Sequence, residues 1–214
     1  MCGTKTLKAG LNKQLDIALV FIYTIERMKD HKLTETIVYE SILTPDKGYD
    51  IDKEKIKKDI ILGYRKDKRK NNFEHSIRYK DYEFDYVSTE TNFLNIFIRD
   101  EFFIKTRQKI NLREKYINVM EHLEQSYLRN NIDPNSYRES PWYTCVYCCD
   151  VLKDSSELVI EYDDNINKKN IIKFKLENNK IFIFPSTLKF FFSENIATEP
   201  NLFIVFNYDL DDQQ

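Results

Sequence analysis

The stretch that decides the fold is Lys180–Leu210, KIFIFPSTLKFFFSENIATEPNLFIVFNYDL. It reads as a strand, a turn at Pro185-Ser186, a second short strand, an acidic loop marked by Pro200, and a third strand. These segments are short and rich in β-branched and aromatic residues, as strands are. Working backward, three more runs of this kind follow Pro134: WYTCVYCCDVL, ELVIEYD and NIIKFKLE. With KIFIFP, LKFFF and NLFIVFNYDL they make six short strands separated by turn-like KDSS, DNINKKN and NN. Strands this short and this closely spaced predict a compact antiparallel barrel or jelly roll.

The first 130 residues read differently. Leu11–Lys32 places Leu11, Leu15, Ala18, Leu19, Ile22 and Ile25 at helical spacing, so a buried helix is expected there. Thr34–Ile42 alternates and is rich in β-branched residues, as a strand does. Asp50 is placed to cap a helix that Gly63 would end. Ser76–Thr89 reads as a strand or hairpin, and Asn92–Phe103 is ambiguous between helix and strand. Lys105–Asn130 is expected to be a long helix with Ile110, Leu112, Tyr116, Ile117, Met120, Leu123 and Leu128 near one stripe. The expected class is therefore α+β: a helical and mixed support region over 1–130 and jelly-roll strands over 131–214, forming one integrated domain.

Composition narrows the function. In 214 residues there are 4 Gly and 5 Pro, and neither a Walker A pattern nor G-x-G-x-x-G occurs, which argues against nucleotide-binding loops. A hydrophobic fraction of 42% with 14% aromatic residues supports a sizeable core, and a net charge of -2 gives no general support to nucleic-acid binding. The apolar run Ile17–Ile25 is far shorter than the roughly 20 residues needed to span a bilayer. These features predict a soluble intracellular protein, cytoplasmic or virion-associated, with no membrane partner. The wealth of Ile, Asn, Lys and Tyr suggests an AT-rich source such as a virus.

Three segments taken in order resemble a known family. NIDPNSYRESPWYTCVYCC (Asn131–Cys149), KIFIFPS (Lys180–Ser186) and NLFIVFNYDL (Asn201–Leu210) resemble the metal-motif strand, the FPS strand and the closing strand of viral and phage 2-oxoglutarate/Fe(II) dioxygenases of the prolyl-hydroxylase-like group. The resemblance implies a double-stranded β-helix carrying Fe(II) on two His and one carboxylate, with a basic residue gripping 2-oxoglutarate. The family's second His falls on Phe190 and its Arg on Asn201, while the first motif offers only Asn131 and Asp133. The resemblance thus implies a fold whose metal and cosubstrate residues are lost, with Phe190 as an apolar plug.

Other constellations have ordinary explanations. Cys145, Cys148 and Cys149 are weak metal candidates, because one Cys pair does not make the usual tetrahedral set and a strand sends Cys148 to the opposite face from the other two. Arg65, Lys66, Lys68, Arg69 and Lys70 form a basic patch able to contact phosphate, or simply a solvated helix end. Glu101, Glu121 and Glu124 read as surface partners of nearby Lys and Arg. The sequence reading therefore favours a non-catalytic binding or structural module without cofactor, engaging a protein partner or a second copy of itself. An active oxygenase using Fe(II) and 2-oxoglutarate would need ligands drawn from His31, His75 and His122, and a nucleic-acid-associated protein would use the patch at 65–70.

Overall fold

In a computed structural model, the described residues are 28–33, 36–44, 51–70, 80–84, 88–132, 135–163 and 168–211. Among these residues, ten strands and two long helices follow in the order β1 (Met28–Leu33), β2 (Thr36–Ile42), α1 (Lys53–Lys70), β3 (Asp81–Glu83), α2 (Thr89–Thr106), β4 (Ile110–Met120), β5 (Tyr143–Asp150), β6 (Glu157–Asp163), β7 (Lys169–Lys175), β8 (Lys180–Pro185), β9 (Lys189–Phe192) and β10 (Asn201–Leu210). A major sheet runs β1-β2-β8-β5-β10-β4-β3, and a minor sheet runs β7-β6-β9, with every pairing antiparallel. The two sheets face one another as an α+β jelly roll of the double-stranded β-helix type, and the helices cover the outside of the major sheet.

The six strands read after Pro134 are all present. Strict alternation explains how they serve two cores at once. On β5, Cys145, Tyr147 and Cys149 enter the helix-side core while Val146 and Cys148 enter the space between the sheets. On β8, Ile181 and Ile183 go outward to the helices, and Phe182 and Phe184 go inward. On β10, Leu202, Ile204 and Phe206 alternate with Phe203 and Val205 in the same way. The minor sheet closes the inner core with Leu158, Ile160, Phe174, Phe190 and Phe192.

Several expectations for the first 130 residues change. The segment read as a long helix over Lys105–Asn130 is instead strand β4 followed by an irregular stretch. Its Lys, Glu, Arg and Gln residues favour helix locally, but β4 lies between β10 and β3, and pairing along its whole length with β10 overrides that preference. Ile117 and Val119 face the helix-side core, and Met120 faces the inner one. The major sheet thus draws β1 to β4 from before residue 131.

Gly63 does not end α1, which continues to Lys70. It is buried in register with Ile56 and Ile60, so the missing side chain eases packing against the sheet. At the start of α1 the Asp52 Oδ1 accepts the Lys55 amide at 3.2 Å. The ambiguous Asn92–Phe103 lies within helix α2, capped by Ser88 Oγ on the Thr91 amide (3.1 Å) and closed by Arg107 in the left-handed region at φ 63°. Of the helix expected over Leu11–Lys32, Met28–Lys32 belongs to strand β1 and the rest lies outside the described residues, as do Asp50 and most of Ser76–Thr89.

The packing makes a direct prediction. Phe203 is fully buried and stacks on Phe192 at 4.3 Å between ring centres, joining the two sheets. Phe203→Ala is expected to cost about 3–5 kcal/mol, read as a lowered urea midpoint with an unchanged denaturant slope.

Candidate functional site

The space between the sheets is apolar along its middle, with buried polar groups toward both ends of β10. Phe184 and Phe190 meet at 5.2 Å, Phe190 and Phe192 at 6.3 Å, and Phe192 stacks on Phe203. This row of rings occupies the inner core. Phe190 is 1% exposed, and its neighbour Lys189 points to solvent, as alternation requires.

Beside Phe190 runs a stretch that sequence reading assigned to a helix. The Arg129 amide donates to the Phe190 carbonyl (3.0 Å) and the Phe190 amide to the Arg129 carbonyl (2.6 Å). Further contacts, from the Ser126 amide to the Phe192 carbonyl (3.2 Å) and from the Leu123 amide to the Asn195 carbonyl (2.8 Å), extend the minor sheet past β9. Backbone pairing therefore delivers the Arg129 side chain next to Phe190. The guanidinium sits 5.1 Å from the ring centres of both Phe190 and Tyr116, a cation held against two aromatic faces. It forms an ion pair with Asp81 on β3, with Nη2 donating to Oδ1 at 2.8 Å, and it also donates to the Tyr116 hydroxyl at 3.1 Å. Both charged side chains are mostly enclosed, at 7% and 13% exposure. Asn118 Nδ2 donates to the same Asp81 oxygen at 3.0 Å.

Two residues along, Asn131 organises one polar end. The Tyr116 hydroxyl donates to its Oδ1 (3.2 Å), and its Nδ2 donates to Thr144 Oγ1 and to Asn207 Oδ1, each at 2.9 Å. Thr144 Oγ1 donates to Asn207 Oδ1 (3.1 Å) and lies 2.9 Å from the Ser186 hydroxyl, while Asn207 Nδ2 donates to Glu114 Oε1 (2.8 Å). Burial pushes the Tyr116 phenol far up, so it remains a neutral donor. The FPS segment thereby gains a structural account. Phe184 packs on Phe190, Pro185 closes β8, and buried Ser186 ties the turn to Thr144 while its carbonyl accepts the Asn131 amide (3.2 Å).

The sequence-derived positions do not all converge. Phe190 and Asn131 both lie near Arg129, and Asp133 lies outside the described residues. Asn201 is at the far end of β10 from Asn207, roughly 20 Å of strand away. There its Nδ2 donates to Ser155 Oγ (2.9 Å) and Asn195 Oδ1 (3.1 Å), and Asn195 in turn donates to the Met120 and Glu199 carbonyls (2.9 Å each). This hub fixes the loop before β10. Of the three His, His75 lies outside the described residues. His31 is on β1, and His122 follows β4 with its ring Nδ1 2.8 Å from the Ala197 carbonyl. Strands β1 and β4 are five places apart in the major sheet, on the order of 24 Å at normal strand spacing.

Elsewhere, Cys145, Cys148 and Cys149 are buried free thiols on alternate faces of β5. Burial raises all three, Cys149 to about 12. Arg65 and Lys66 are exposed near the end of α1, and for Lys68, Arg69 and Lys70 only the backbone is described. Arg65 also borders a cleft of about 570 Å³ between α1 and the loop before β10. The acidic residues read as partners on a helix surface are placed differently. Buried Glu101 accepts from Ser41 Oγ (3.0 Å), Glu121 accepts the Tyr64 hydroxyl, and Glu124 pairs with Lys80 (2.6 Å).

An Fe(II) site of the oxygenase type needs two imidazoles and a carboxylate facing one point. Among the described residues no group of three His, Cys, Asp or Glu is disposed to hold a metal ion. The groups that converge on the inner face are a guanidinium already paired with a carboxylate, two amides, two aliphatic hydroxyls and a phenol. That set does not fit Fe(II).

No family model and no curated protein sequence matches the chain. Solved structures share its fold. AviO1 from Streptomyces viridochromogenes Tue57 is similar at a TM-score of 0.53 and 9% identity, over 81% of this chain and 90% of that one. An oxidoreductase of the 2OG-Fe(II) oxygenase family from Burkholderia pseudomallei is similar at a TM-score of 0.44 and 10% identity, over 93% of this chain and 79% of that one. The viral collagen prolyl hydroxylase of Paramecium Bursaria Chlorella virus-1 gives 0.45 and 9%, over 70% and 88%. At such identities the likeness is one of fold alone, and the similarity to AviO1 supports a jelly roll of the double-stranded β-helix type.

Two predictions follow from the buried charges and thiols. Asp81→Ala leaves the Arg129 cation enclosed without its carboxylate and is expected to cost about 3–5 kcal/mol. Adding Arg129→Met should restore much of that loss, because an apolar chain then fills the space between Tyr116 and Phe190. Chemical denaturation of the single and double variants checks this. Cys145, Cys148 and Cys149 should resist a thiol reagent in the native protein and react only on unfolding, which peptide mapping of labelled protein would read.

Proposed function

We propose that the protein is a non-catalytic binding or structural module built on the oxygenase-type jelly roll. The observation that supports this reading best is the placement of Arg129. Its guanidinium lies beside Phe190, at the position where the sequence resemblance puts a metal-binding His, and it is held by Asp81, Tyr116 and Phe190 itself. A guanidinium there offers a metal ion no lone pair, and neither does the ring of Phe190. The neighbouring amides and hydroxyls satisfy one another, with Asn131, Thr144, Asn207 and Ser186 each hydrogen-bonded within the group. Groups committed in this way serve as a structural plug.

A module of this kind acts through its surface. Trp142 and Tyr127 are both more than half exposed, and large aromatics of this type commonly anchor protein interfaces. A protein partner is therefore the class of ligand we assign.

Anaerobic titration of the purified full-length chain with Fe(II) and 2-oxoglutarate tests the reading. The expected result is neither stoichiometric iron nor saturable cosubstrate binding. Stoichiometric iron with micromolar binding of 2-oxoglutarate would overturn the proposal and direct mutagenesis to His31, His75 and His122.

A further inference from the structure

The cleft of about 570 Å³ between α1 and the loop before β10 lies on the helix side of the major sheet, away from the space between the sheets. Its size falls within the roughly 300–1,000 Å³ of small-molecule sites. Helix α1 forms one wall with Lys57, Ile61, Tyr64 and Arg65, which share a face because they recur at three- and four-residue intervals. The ends of β4 and β5 and the loop before β10 form the other, and its charged members are Glu121, Asp150 and Glu199. The helix wall is therefore basic and the sheet wall acidic. The rest of the lining is apolar, with Ile61 from α1 and Val119, Leu152, Pro200 and Leu202 from the sheet side.

Two contacts bridge the walls. Lys57 pairs with Asp150, and the Tyr64 hydroxyl donates to Glu121. A third cation and a third carboxylate stand on the same two walls without such a contact. Arg65 and Glu199 are exposed and belong to no ion pair. The bridged pairs hold the walls apart at a set width, while the remaining two charges are available to a guest.

The sheet wall is fixed from behind. The Leu152 amide donates to Asn201 Oδ1 (3.4 Å), Ser155 Oγ donates to the Leu152 carbonyl (2.6 Å), and Asn195 Nδ2 donates to the Glu199 carbonyl (2.9 Å). Asn195 and Asn201 are fully buried. The hub at the start of β10 thus sets the backbone that carries Leu152 and Glu199, and a wall already ordered removes one cost of binding.

We infer that this cleft binds a small zwitterion with an apolar body, of the size of a hydrophobic dipeptide. The apolar lining takes the body, the Arg65 guanidinium takes a carboxylate, and the Glu199 carboxylate takes an ammonium group. A purely anionic guest would meet Glu199 and a purely cationic one Arg65, so a ligand carrying both charges fits best. The site is independent of how the space between the sheets is used.

The test titrates the full-length chain with L-leucyl-L-phenylalanine, its N-acetyl derivative and its C-terminal amide, read by calorimetry and by saturation-transfer NMR. The parent dipeptide is expected to bind saturably at one site. Arg65→Gln and Glu199→Gln should each weaken it about tenfold, the effect of losing one charged hydrogen bond. Both side chains are exposed, so the melting temperature should stay unchanged. Arg65→Gln should make no further difference to the amide, nor Glu199→Gln to the N-acetyl form. Absence of saturable binding at millimolar dipeptide would overturn the proposal. So would binding that neither or only one substitution weakens, or derivatives that bind as tightly as the parent.

Discussion

Strand β10 has eight successive residues, Asn201 to Tyr208, out of contact with water, and it is paired on both edges by β4 and β5. A strand in that position has to be covered on both faces, and the coverings are of different kinds. Helices α1 and α2 supply one with Ile56, Ile60, Leu94, Phe97, Ile98 and Phe102. The three-strand minor sheet supplies the other, chiefly through Phe190, Phe192, Leu158 and Ile160. Because the minor sheet is small, aromatic rings bridge the gap to the major sheet. Buried polar side chains gather instead at the two ends of β10, where Asn207, Thr144 and Asn131 at one end and Asn201, Asn195 and Ser155 at the other satisfy each other. Where chemistry could reside in this fold is thus already limited by how β10 is buried.

Legibility in the sequence followed burial. Strands β5 to β10 were readable because residues facing either core are apolar, and a run of four to eight such residues between turn signals leaves few alternatives. Strand β4 was not. Its first half carries Asn111, Arg113, Glu114 and Lys115, residues that favour helix or loop in isolation, and only Tyr116–Met120 is buried enough to show alternation. Gly63 misled for a related reason. A glycine near the end of an apolar run signals a helix stop, yet here it is a buried position inside α1. Asn92–Phe103 was ambiguous because α2 is apolar on two sides, which blurs the helical period.

The candidate site was legible only in part. Phe190 and Asn131 were singled out and lie close together, but Arg129 and Asp81 were missed, and they determine what the site holds. Arg129 stood inside a segment read as helix, where a lone Arg is unremarkable. Its importance comes from the pairing of residues 123–129 beside β9, and from a partner 48 positions earlier in the chain. Asn201 illustrates the converse. It opens the right strand, but it is bound into the loop hub with Asn195 and Ser155, so position along a strand alone did not give its role.

The Arg129–Asp81 pair bears on why the interior has this composition. A buried ion pair gains little over well-packed apolar residues of the same volume, because desolvation offsets most of the attraction, whereas breaking one is costly. Its contribution is therefore better sought in geometry than in net stability. Asp81 belongs to β3, the last strand of the major sheet, and Arg129 to the stretch that extends the minor sheet. Among the described residues, the pair joins the two sheets at an edge where no backbone ladder does. A register slip of one residue in the 123–129 stretch would turn Arg129 away from Asp81 and bury Tyr127 or Leu128 differently. The cost of an unpaired buried cation then penalises every alternative register. On this argument the charge specifies how the jelly roll closes.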